Sequence, residues 1–149
     1  MPVALNLTAR LKQDPESQAA LAALKAVFAE HIQPRMDAAL ARSELVHFAR
    51  VLVIDDRYFQ VLTEFDGDPI AYTEFFRLEL GGIFRQVFAL VEGAPPWEEL
   101  DDQLAFYEFT QSLNLPSLGE TVRDDVNRGY LFAAFGDRSV REMKPLLEP

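Results

Sequence analysis

The chain has 149 residues, 49% of them hydrophobic, and a formal net charge of −10 from 24 acidic and 14 basic residues. Folding a chain of this length buries roughly 68–70% of its unfolded surface, which excludes disorder and suits one α+β domain over 1–149. The absence of cysteine removes disulfides, thiol catalysis, zinc–thiolate sites and iron–sulfur clusters, and the acidic balance with scattered arginines argues against nucleic acid or an anionic membrane as partner.

The N-terminus lacks a basic region followed by an apolar run, and nowhere do eighteen apolar residues run together. No secretory signal and no membrane span are therefore expected, and a cytoplasmic location is the default.

In chain order, 2–12 alternates strictly, with Val3, Leu5, Leu7, Ala9 and Leu11 on one face and Asn6, Thr8, Arg10 and Lys12 on the other. Period two with one apolar face predicts a strand covered on one side. Asp14-Pro15-Glu16 then opens a helix, since Asp caps, Pro suits the first helical position and Glu favours the positive end. Its apolar stripe runs from Leu21 to Leu40, and Pro34 predicts a kink or break near Gln33.

Residues 45–54 are almost continuously apolar and β-branched, which predicts a strand more buried than the first. The turn Asp55-Asp56-Arg57 leads into a returning strand at 58–65, and so short a link requires an antiparallel hairpin. Asp68-Pro69 repeats the capping grammar, and a broad apolar helix follows to Val91 with Gly81-Gly82 in its middle. Each glycine costs about 1 kcal/mol there, so either the helix breaks or something packs against bare backbone.

An inserted helix is expected over 97–113 and a long connection over 115–128. Residues 129–135 (GYLFAAF) read as a short aromatic strand, and Ser139 with Glu142 has capping-box spacing for a brief terminal helix before Pro145. The order βαββαβ with these additions predicts a four-stranded antiparallel sheet with helices on one face, the ferredoxin-like architecture. The other face is left for water, a ligand or a second chain.

The run VHFARVLVIDDRYFQVLTEFDGDPIAYTEFF and the later Gly136-Asp137-Arg138-Ser139-Val140 segment resemble an uncharacterised group of ferredoxin-like proteins loosely described as peroxidase-like. The resemblance implies the fold and a sheet-to-sheet homodimer of the dimeric α/β barrel type, and it carries no catalytic residue onto this chain. Dye-decolourising peroxidases share the architecture and have a GxxDG motif and a later proximal histidine. Here Glu64-Phe65-Asp66-Gly67 lacks the first glycine and no histidine follows His47, so no cofactor is expected and haem is the lesser alternative.

Candidate ligand-binding residues are His47, Arg50, Arg10 and Tyr58. His47 among aliphatic strand residues is first of all a packed and hydrogen-bonded side chain. Alternation sends Arg50 to the opposite face from His47 unless a bulge intervenes. Asp66 and Asp68, with Asp55 and Asp56, invite a metal, but the D-G-D-P turn lacks the converging oxygens of a hard-cation loop, and capping explains Asp68. No G-x-S-x-G, P-loop or G-x-G-x-x-G is present. Two functions are compatible with this reading. One is a dimeric domain that binds a small apolar ligand or is purely structural. The other is an oxidoreductase, cofactor-free monooxygenase-like or peroxidase-like, acting on a small organic substrate. Whether a cavity at the open sheet face contains His47 or Arg10 with room for a ligand separates the two, and a packed, dry interface would remove the oxidoreductase.

Overall fold

The alternating N-terminal stretch forms strand β1 (Val3–Arg10), with Val3, Leu5, Leu7 and Ala9 buried. The structure, a computed structural model, describes residues 2–121 and 127–148. Helix α1 (Pro15–Val27) starts where the sequence marks it, the Asp14 carboxylate accepting from Ser17 N at 2.9 Å. Pro34 leaves its mark as a π-helical turn at Phe28–Ile32, from which α2 (Gln33–Ser43) continues. The ring of Pro34 would strike the carbonyl four residues back, and widening the turn by one residue relieves that clash without ending the helix.

Strands β2 (Val46–Ile54) and β3 (Tyr58–Phe65) form the expected antiparallel hairpin. Asp55 and Asp56 both sit at φ 53, a left-handed turn that short polar side chains tolerate and that matches strand twist. Lys25 Nζ lies 2.9 Å from Asp56 Oδ1 and ties the turn to α1. Helix α3 (Pro69–Phe88) is capped by Asp68, whose carboxylate accepts from Ala71 N at 2.9 Å. Leu80 leaves helical geometry at φ −125, immediately before Gly81-Gly82, so the glycine pair marks a kink rather than an end. The inserted stretch divides into α4 (Trp97–Leu100) and α5 (Gln103–Ser112), because Asp102 caps a new helix by accepting from Ala105 N. Helix α6 (Val140–Leu147) opens with the expected Ser139–Glu142 capping box and runs through Pro145.

Among the described residues the expected four-stranded ferredoxin-like sheet is not formed. Among the described residues the sheet has three antiparallel strands in the order β1-β3-β2. Residues 129–135 make turns and extended loop instead of a strand. The cause lies at the free edge of β1, where a fourth strand would have to pair. Ala4 N donates to Asn127 Oδ1 at 2.7 Å, Asn6 N to Asn114 Oδ1 at 2.8 Å and Thr8 N to Leu113 O at 2.9 Å. Farther along, Arg10 O accepts from Glu92 N and Lys12 N donates to Leu90 O, both at 2.8 Å. Each of these strand groups is already satisfied by chain from 90–92, 113–115 and Asn127, so no ladder remains for 129–135 to join. The expected connection over 115–128 is thus in part an edge seal; its residues 122–126 lie outside the described residues.

Strand β2 is likewise the exposed edge strand and not one more buried than β1, with Phe48, Leu52 and Ile54 facing out. A continuous apolar run suggests burial, whereas here one face meets the core and the other is largely uncovered. The core lies on the side of Leu5, Leu7, Phe59 and Phe65, where Leu21, Leu24, Ile32, Phe76, Leu80, Val87 and Phe106 pack against the sheet. Phe65 stacks on Tyr72 with ring centroids 3.8 Å apart and planes at 4°. Among the described residues no helix is long and apolar enough to cross a membrane.

Candidate functional site

The bulge that sequence alternation could not foresee builds the site. Val46 pairs with Phe65 and Phe48 with Glu64, which leaves His47 as an extra residue in β2. His47 Nε2 lies 2.8 Å from Asp66 Oδ1, and the other oxygen, Oδ2, accepts from Val140 N at 2.8 Å. Both side chains are largely enclosed, with relative exposures of 20% for His47 and 15% for Asp66. One carboxylate therefore clamps three parts of the fold: the β2 bulge, the end of β3 and the start of α6. Because both Asp66 oxygens act as acceptors, a neutral His47 carries its proton on Nε2 and a lone pair on Nδ1.

Beside this clamp lies a cavity of about 470 Å³ on the open side of the sheet. Its polar lining is His47, Arg50, Glu64 and Arg138, and its apolar lining includes Phe48, Leu131, Phe132 and Phe135. Phe48, Phe132 and Phe135 stand at 76%, 86% and 72% exposure, and Phe132 meets Tyr130 edge to face at 4.8 Å. The residues expected to make a strand at 129–135 thus form one wall of a cavity. The spaces between sheet and helices are about 60 Å³ each, room for only a few atoms, so an organic ligand there would displace the packed core.

The four sequence candidates separate into two pairs. His47 and Arg50 line the same cavity, against the expectation from alternation, because a bulged strand does not keep strict parity. Arg10 and Tyr58 pair with each other across β1 and β3 at the far end of the sheet and do not line this cavity. Asp66, which the sequence offers as a turn residue or metal ligand, instead holds His47, and no local signal marks Glu64 or Arg138. The His47–Asp66 spacing of nineteen residues has meaning only once β2 and β3 are in register. Asp68, as expected, is a helix cap. Among the described residues no group of three or more His, Asp or Glu side chains is placed to hold a metal ion.

Outside the cavity, burial and hydrogen bonding perturb several ionisable groups. Burial pushes the Tyr72 phenol up to about 12. The hydrogen bonds from Arg77 hold Glu74 below the usual carboxylate range, and Arg77 also pairs with Asp101.

Comparison of the chain with protein-family models, with curated proteins and with solved structures finds no match.

Proposed function

We propose that the protein is a cytoplasmic domain that binds a small ligand in the cavity beside His47, needs no resident cofactor, and pairs with a second copy through its open sheet face. The observation that carries the ligand site is the cavity itself. Its 470 Å³ falls within the roughly 300–1,000 Å³ typical of small-molecule sites, with apolar walls and a few convergent polar groups. Pairing is supported by the uncovered apolar side chains of that face. Phe48, Leu52, Ile54, Tyr58, Phe132 and Phe135 offer on the order of 600 Å² at ~150–250 Å² per aromatic side chain, not far below the ~800 Å² each partner gives to a standard interface.

A fragment screen followed by amide NMR tests the ligand site. Bound fragments should shift Phe48, Arg50, Phe132 and Gly136 together; fragments that bind only elsewhere would remove the reading.

One observation favours a second reading, an enzyme acting on a small organic substrate. An imidazole oriented by a carboxylate and lining a cavity is the arrangement of a general base. Nδ1 would take a proton from the substrate and return it, with Asp66 stabilising the imidazolium. If a fragment found in the screen is turned over, His47→Gln should stop turnover, and undiminished turnover would dismiss this role.

A further inference from the structure

We infer that the cavity takes a small organic monocarboxylate with an apolar body, its anionic end between Arg50 and Arg138 and its body against Phe48, Phe132 and Phe135. The inference rests on the ligand-site reading above and adds the chemistry of the ligand.

The chain carries a formal net charge of −10, yet the cavity is lined by two arginines against one glutamate. A locally positive lining in an acidic protein selects for anions against the general field. Arg50 makes no hydrogen bond or ion pair with the described residues, so its planar fork of donors is free for a bidentate carboxylate. Arg138 lies within electrostatic reach of Glu142.

Glu64 sets the valence. It faces the same space as the arginines and would repel a second negative charge, which disfavours phosphate and dicarboxylates. The aromatic rim supplies the remaining selectivity, because Phe48, Phe132 and Phe135 are mostly exposed and gain by covering an apolar chain.

Calorimetric titration of the full chain with phenylbutyrate and with its neutral amide tests this. The carboxylate should bind at least about tenfold tighter than the amide, a charge-assisted preference. In the Arg50→Gln, Arg138→Gln double variant that ratio should collapse to near unity, while Arg10→Gln, at the far end of the sheet, should leave it intact. Thermal melts establish that each variant is folded. Equal affinity of the wild type for acid and amide would overturn the monocarboxylate and leave the ligand site standing. Saturable binding of neither at millimolar concentration would overturn both. Inorganic phosphate displacing the carboxylate with equal affinity would overturn the assignment of class.

Discussion

Asp66 shows how much one side chain can hold. Its two oxygens accept from His47 and from Val140 N, and the side chain is mostly enclosed, so truncation leaves two polar groups short of a partner. Asp66→Ala should cost about 1–3 kcal/mol in urea denaturation, and the amide of Val140 should exchange faster with solvent. Unchanged exchange at Val140 would show that the clamp does not hold α6. Tyr72 makes a prediction in pH. Its phenol is raised from 10.0 to about 12 by burial, so the folded state keeps a proton that the unfolded chain has already released. The contribution is fully present below about pH 10 and is lost as pH rises to about 12, up to about 2–3 kcal/mol. Stability measured from pH 9 to 12 should therefore fall with a slope that Tyr72→Phe lessens; an identical slope in the variant would refute the assignment.

Elements are governed by their breaks as much as by their stripes. The π turn before Pro34 and the kink at Leu80 both sit where a breaker meets a helix that packing keeps going. A Cβ built on Gly82 meets nothing within 4 Å, and one on Gly81 meets only Trp97 at an ordinary 3.6 Å. Gly82→Ala should therefore stabilise the protein by roughly 0.5–1 kcal/mol in chemical denaturation, through helix propensity alone. A loss of stability would mean that the kink itself is required. The edge of β1 behaves in the opposite way, since its stability comes from outside the strand. Asn114→Ala removes the acceptor of Asn6 N and should cost about 1–2 kcal/mol, with faster amide exchange at Asn6 as the local readout.

At the scale of the whole molecule, the two sheet edges are unlike. β1 is sealed by backbone and asparagine side chains, whereas β2 carries an exposed apolar face beside a cavity. If that face pairs copies, light scattering at micromolar concentration should give a dimer mass, and Phe48→Glu should give a monomer that still folds. A monomer for the unmodified chain would end the pairing proposal. Elements whose signals are local were legible in the chain. Strict alternation marks β1, Asp-Pro caps mark α1 and α3, a short polar turn makes the hairpin antiparallel, and Ser139 with Glu142 opens α6. Each depends on neighbours within a turn or two, so composition and spacing suffice. Tertiary structure decided everything that depends on competition between distant segments. Residues 129–135 have strand character, but Leu113–Leu115 and Asn127 occupy the edge they would have needed. His47 and Arg50 were separated by parity until a bulge brought both to one cavity, and Asp66 became the partner of His47 only through the pairing of β2 with β3. An apolar residue in β2 looks the same in sequence whether a core, a ligand or a second chain will cover it, and only the three-dimensional packing tells which face was left open.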